Sequence, residues 1–220
     1  MVEISTSVLN IPAENAVRKF YDLEVAKTDY FHIDVMDGKF VTKSNKKQMR
    51  DYALSITHIS NIPLDVHLMV EDVKGNIEDY LPLEPDRITF HIEAVKNKEE
   101  AFEIIRLLRE NHIKVGISIK PNTDVKEIYD VLEHVNMVLV MTVEPGKGGQ
   151  KLLPETLKKV EILNEYRKIN DLEFDIEVDG GINETTAKDA MISGANILVV
   201  GTYITDSDDF NEQIKKLKNI

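Results

Sequence analysis

The chain has 220 residues, 42% of them hydrophobic and 30% charged, a balance that suits one large α/β domain in water. A formal net charge of −12 argues against a nucleic-acid surface, and without an unbroken apolar run of about 18 residues no membrane span is expected. Cysteine is absent, which excludes disulfides and thiolate metal sites, so a bound metal must use His, carboxylate or water ligands, a set that suits Zn²⁺, Mn²⁺ or Fe²⁺.

The N-terminus opens directly into an apolar strand, Glu3–Val8, with no basic segment before it, so no secretory signal is expected and a cytoplasmic location fits. A helical pattern over Ala13–Ala26 follows, then a second strand, Tyr30–Val35. Further strands are predicted at Leu64–Met69, Arg87–His91, Val115–Ile119, Met137–Thr142, Phe174–Val178 and Ile197–Val200. Helices are predicted between them at Lys98–Asn111, Pro154–Ile169 and Glu184–Ser193, with Pro154 in a first turn and Gly194 as a C-terminal cap. Strands alternating with helices imply a parallel sheet covered by helices. Eight such units without a linker predict an α/β fold, a single-domain (β/α)8 TIM barrel over residues 1–220, near the lower size limit of about 200 residues for that fold. No Gly-x-Gly-x-x-Gly follows the first strand, which weakens a dinucleotide-binding alternative.

The most informative segment is His32-Ile33-Asp34-Val35-Met36-Asp37-Gly38. His32 and Asp34 stand two apart in a strand and so share one face. Unpaired polar groups on an apolar element cost roughly 2–7 kcal/mol each, so something must compensate them. His67 lies in the third strand and Asp179 ends the seventh. In a barrel the active site lies at the C-terminal strand ends. Ser7, His32, Asp34, His67, Met141 and Asp179 all fall there and can converge on one axial pocket. Two histidines and two carboxylates are the material of a divalent-metal site, and a metal held by His32, Asp34, His67 and Asp179 can polarise a carbonyl. Asp34 and Asp179 come from opposite walls, which suits proton removal from one face of a carbon and delivery to the other, an epimerisation α to a carbonyl. Met36, Met69 and Met141 at neighbouring strand ends can keep water from a carbanionic centre.

Three glycine-bearing loops follow the last strands: Glu144-Pro145-Gly146-Lys147-Gly148-Gly149-Gln150, Asp179-Gly180-Gly181-Ile182-Asn183 and Gly201-Thr202. Their backbone N–H groups can cradle a phosphate, so the expected ligand is a small phosphorylated molecule. His91 is read as structural and Asp65 as a supporting or structural carboxylate. His58, His112, His134 and Lys46-Lys47 need no function.

HIDVMDG, DVHLMV, MTVEPGKGGQ, EVDGG and the Gly201-Thr202 ending, in order over nearly the whole chain, resemble ribulose-phosphate 3-epimerases. The resemblance implies interconversion of D-ribulose 5-phosphate and D-xylulose 5-phosphate in the pentose phosphate pathway, a phosphorylated ketose as partner and a homo-oligomer. It implies one divalent metal on His32, Asp34, His67 and Asp179, with Asp34 and Asp179 as the proton-transfer groups. Ser7 matches the family serine that contacts substrate, and Gly146, Lys147, Gly148, Gly149, Gly180, Gly181, Gly201 and Thr202 fall on the phosphate side, with His67 also at the substrate. The chain departs from the family pattern in Thr42-Lys43-Ser44-Asn45-Lys46-Lys47, in Lys147 where the family has Phe, and in Thr202 where it has Ser. Those positions leave open a 3-epimerase of a hexulose 6-phosphate such as D-allulose 6-phosphate, or a non-catalytic phosphosugar-binding paralogue. A barrel lyase or decarboxylase is disfavoured, because Met36 stands where such enzymes carry their lysine.

Overall fold

The computed structural model describes residues 2–220. Eight parallel strands close on themselves: β1 (Glu3–Ser7), β2 (Tyr30–Met36), β3 (Leu64–Met69), β4 (Arg87–His91), β5 (Lys114–Ile119), β6 (Met137–Met141), β7 (Asp175–Asp179) and β8 (Ile197–Val200). Closure comes from β1 pairing with β8, Ser5 opposite Val199. The helices α1 (Ala16–Val25), α2 (Lys46–Ile59), α3 (Val73–Tyr80), α4 (Lys98–Glu110), α5 (Leu157–Ile169) and α6 (Glu184–Ser193) run between strands. Successive 3-10 turns over Val125–His134 take the helical place after β5, and α7 (Thr202–Thr205) and α8 (Phe210–Lys218) follow β8. The predicted (β/α)8 barrel is therefore the fold observed.

Boundaries differ from expectation by a residue or so. β2 runs on to Met36 because Met36 still pairs with Met69, and β7 covers Asp175–Asp179 rather than Phe174–Val178. Asp179 is held in the ladder at its own carbonyl, which accepts from the Thr142 N–H at 2.8 Å. Pro154 opens a 3-10 turn that leads into α5, Ala13–Asn15 does the same for α1, and Gly194 caps α6 in the left-handed region at φ 117.

Period two divides every strand into two faces. Phe31, Ile33 and Val35 of β2, Val66 and Leu68 of β3 and Ile176 and Val178 of β7 join one hydrophobic cluster with Phe20, Ile56, Leu108 and Leu163 of the helices. Each such side chain contributes roughly 1.5–3 kcal/mol on burial. The alternate residues line the barrel interior, which is polar over much of its height: Ser5, His32, Asp34, Asp65, His67, Arg87, Thr89, His91 and Glu177 are buried there. Met137, Leu139, Met141 and Ile197 form a separate apolar wall of that interior.

Candidate active site

Strand register assembles the polar cluster. Asp34 of β2 pairs with His67 of β3, Ser7 of β1 pairs with His32, and Met141 of β6 pairs with Asp179. Ser7, Asp34, His67, Met141 and Asp179 point inward from the C-terminal halves of their strands, the end at which barrel active sites lie, and His32 lies one inward position below Asp34. His67 Nδ1 lies 3.1 Å from Asp34 Oδ1 and 3.6 Å from Asp179 Oδ2. The Ser7 hydroxyl donates to Asp34 Oδ2 at 2.7 Å. His32 Nδ1 bonds Asp65 Oδ2 at 2.8 Å, which turns its Nε2 toward Asp34 Oδ1, 3.3 Å away.

That Nε2 atom tests the metal expectation. It is fully buried and has no hydrogen-bond partner, a costly state for an imidazole nitrogen unless something else engages it. One ligand atom from each of His32, Asp34, His67 and Asp179 falls within a set whose members all lie within 4.8 Å of one another. Two imidazole nitrogens and two carboxylate oxygens are a fitting donor set for a divalent ion, and a carboxylate on the far nitrogen of a ligating histidine is its usual support. The chain's donors thus fit one divalent cation. A second grouping, His32 with Asp65 and Glu177, lies deeper. There Arg87 already supplies a cation, its Nε 3.7 Å from Asp65 Oδ1.

The two carboxylates of the upper cluster have unlike environments. Burial pushes Asp34 up, but the neighbouring His32 and His67 more than reverse this and hold it far below the ordinary carboxylate range. Burial and then the charge of Asp34 push Asp179 up to about 6. Burial works against a charge on His32, yet Asp34 and Asp65 raise it well above its ordinary value. His91 is the opposite case, drawn down to about 4 by burial.

Above the cluster lies a cavity bordered by Ser7, Asp34, Met69, Met141, Gly146, Lys147, Gly148, Gly149, Asp179, Gly180, Gly181, Gly201 and Thr202. The structure thus gathers nearly all the sequence-predicted positions at one place, with His32 and His67 fully buried beneath them. Met36 is the exception. It packs with Val41 and Met69 and borders an adjoining hollow that Gly146, Lys147 and Gly148 also line. Two glycines are dictated by geometry: at φ 124, a Cβ on Gly180 would lie 2.3 Å from Val143 Cγ2, and at φ 69 one on Gly181 would lie 2.2 Å from the Leu152 nitrogen. Gly201 leads into α7, so a short helix N-terminus faces this rim.

Several contributors were not singled out from the sequence. Asn45 ties the β2 loop down, its Nδ2 donating to the Asp34 carbonyl at 2.9 Å and its Oδ1 accepting from the Met36 N–H at 2.8 Å. Gln150 donates to the carbonyls of Glu144 and Lys147, both at 2.7 Å, and shapes the glycine loop after β6. His91, read as structural, touches His67 directly, Nε2 to Nε2 at 2.9 Å. Asp65, read as supporting, does support His32. Asn and Gln are common in turns, so only the contacts reveal these roles.

A closed parallel barrel with a His/Asp cluster and a glycine-rich rim at its C-terminal end defines the class, a (β/α)8-barrel enzyme. The profile of the Ribulose-phosphate 3 epimerase family matches residues 3–205. The chain is 37% identical over 218 residues to a ribulose-phosphate 3-epimerase of Methanocaldococcus jannaschii, covering 99% of this chain and 90% of that one. It is 32% identical to one of Bacillus subtilis, covering 99% of each. The chain belongs to the ribulose-phosphate 3-epimerase family. Among solved structures, 3-hexulose-6-phosphate synthase from Salmonella typhimurium matches with a TM-score of 0.67 at 18% identity, covering 99% of this chain and 97% of that one. A mutant tryptophan synthase alpha-subunit from Pyrococcus furiosus matches with a TM-score of 0.69 at 11% identity, covering 100% of each. At those identities the likeness concerns the fold alone.

Proposed function

We propose that residues 1–220 form one catalytic domain, a metal-dependent 3-epimerase that interconverts D-ribulose 5-phosphate and D-xylulose 5-phosphate, as in the pentose phosphate pathway. The observation that carries this reading is the meeting of Asp34 and Asp179 at His67 Nδ1, beneath a cavity rimmed by the loops after β6, β7 and β8. Family membership supports the same activity.

Epimerisation at C3 requires a base on one face of that carbon and an acid on the other. Two carboxylates forced close together share one proton more readily than they carry two charges or none. With Asp34 held ionised and Asp179 titrating at about 6, the pair keeps one proton, on Asp179, up to about pH 6. In one direction Asp34 takes the C3 proton while protonated Asp179 delivers its own to the opposite face; in the other the roles exchange. Ser7, donating to Asp34, fixes which carboxylate oxygen faces the substrate. Met69 and Met141 exclude water from the developing carbanion, and Met36 backs Met69 from behind. His32, His67, Asp34 and Asp179 would hold a Zn²⁺, Mn²⁺ or Fe²⁺ ion, which would supply Lewis-acid polarisation of the carbonyl next to the reacting carbon. The substrate phosphate takes the rim of Gly146, Lys147, Gly148, Gly149, Gly180, Gly181, Gly201 and Thr202, where loops after strands seven and eight and a short extra helix commonly bind phosphate in this fold.

Incubation with ribulose 5-phosphate in deuterated water tests the reading. Deuterium should enter C3, and a chelator should abolish exchange until metal is restored. No exchange with ribulose 5-phosphate, alongside exchange with a hexulose 6-phosphate, would transfer the assignment to that substrate. No exchange with either would leave a binding protein.

A further inference from the structure

His91 closes β4, is fully buried and has no part in the mechanism above. Its Nε2 lies 2.9 Å from His67 Nε2, and its Nδ1 lies 3.1 Å from Glu93 Oε2. The other oxygen of Glu93 accepts from the Lys120 N–H at 2.7 Å and from the Thr123 hydroxyl. Phe40 of the β2 loop covers the chain of contacts, its ring 4.9 Å from that of His91, with the Lys120 ammonium 3.7 Å over the Phe40 ring.

Hydrogen-bond polarity can be read from the far end of this chain. A backbone N–H only donates and a carboxylate only accepts, so Glu93 accepts on both oxygens. His91 must then carry its proton on Nδ1, which leaves Nε2 bare in an uncharged ring. Two nitrogens 2.9 Å apart need one proton between them, and the only ring left to supply it is His67, from Nε2. His67 Nδ1, the nitrogen that faces Asp34 and Asp179, is therefore the one whose lone pair is open to a cation once any proton there has left to solvent.

We propose that Glu93, acting through His91, is a positioning residue that keeps the His67 proton on Nε2 and so selects Nδ1 as the metal-facing donor, an inference that rests on the metal reading above. Fixing the tautomer of a ligating histidine through its far nitrogen is worth about 10–100-fold in metal affinity. Here the fixing group is two residues removed, in the turn after β4 and outside the ligand set.

Protein labelled with ¹⁵N-histidine, metal-free and Zn²⁺-loaded, reports the proton positions by two-bond ¹H–¹⁵N correlation. In both states His67 should be protonated at Nε2, and His91 at Nδ1 with Nε2 bare. Glu93→Gln offers one accepting oxygen where the site needs two, so the His91 proton should shift toward Nε2 and Zn²⁺ affinity should fall about tenfold or more. Thr123→Val removes a donor to Glu93 but leaves the carboxylate, so both the proton positions and the affinity should match wild type. Two results overturn the relay: a bare Nε2 on His67 in the wild-type protein, or equal loss of Zn²⁺ affinity in Glu93→Gln and Thr123→Val. Wild-type protein with these proton positions that binds no Zn²⁺ would uphold the relay and sink the metal reading alone.

Discussion

Asp34 and Asp179 reach His67 Nδ1 at 3.1 and 3.6 Å, yet their surroundings pull their proton affinities apart. Burial and the charge of Asp34 keep a proton on Asp179 up to about pH 6, while flanking histidines keep Asp34 ionised. Replacing either with asparagine preserves shape and removes the exchangeable charge. Asp34→Asn and Asp179→Asn should each lower kcat by at least about 10²–10⁴-fold, the usual worth of a positioned acid or base. Wild-type exchange at C3 in both variants would refute the two-base assignment. The same difference predicts how metal uptake depends on pH. Ligation requires a bare carboxylate, so below its pKa Asp179 must release a proton when metal binds. The number of protons released on Mn²⁺ binding, counted by calorimetry in buffers of different ionisation enthalpy, should fall by about one between pH 5 and pH 7.5. An unchanged count would show that Asp179 is already ionised at pH 5.

The strands were the legible elements, because period two is a local property. His32 and Asp34 could be placed on one inner face from their spacing alone, and β2 bears this out. The glycines after β7 were legible for a related reason, since loops that approach a ligand or another backbone closely need them. Gly181 shows how strictly. Gly181→Ala would set a Cβ 2.2 Å from the Leu152 nitrogen at φ 69. That strain should cost about 1–3 kcal/mol in urea unfolding and displace the loop, raising KM for the phosphorylated substrate more than it lowers kcat. A midpoint and KM equal to wild type would show that the turn is not tightly held. What stayed hidden was everything that depends on which strand faces which at a given height. His91 and Glu93 look like an ordinary strand end until the β3–β4 ladder, with His67 opposite Thr89, brings His91 against His67. A signal was present in Arg87-Ile88-Thr89-Phe90-His91, where polar residues alternate with apolar ones as they do in β2 and β7. Met36 shows the limit of the same pattern: its place at a strand end is right, but the β2 loop folds Val41 against it, and it borders the hollow adjoining the Asp34 and Asp179 cavity.

Closing the sheet removes every strand edge, so all eight strands can be held by ladders while the interior is devoted to polar groups. Beneath the active site, Asp65 accepts from the Ser5 hydroxyl at 2.6 Å and bonds His32, with Arg87 alongside. Arg87 also lies over the Tyr30 ring at 3.9 Å. One guanidinium faces two buried carboxylates, Asp65 and Glu177. Despite burial, His32 and Arg87 hold Asp65 well below the ordinary range, whereas burial and the charge of Asp65 drive Glu177 well above it. Burial and the charge of Asp65 thus favour the neutral acid at Glu177, whose two oxygens have no hydrogen-bond partner. The sign of its effect on stability follows from linkage. Its folded pKa lies above the unfolded value of 4.5. Its contribution is therefore complete below pH 4.5 and declines as pH rises toward the folded value, because the unfolded chain releases a proton that the barrel retains. Glu177→Gln keeps the size and the donor but cannot ionise. Its Tm relative to wild type should rise steadily from pH 4 to pH 9. A difference that stays flat over that interval would mean Glu177 is charged in the folded barrel, and Arg87 would then have to balance two anions rather than one.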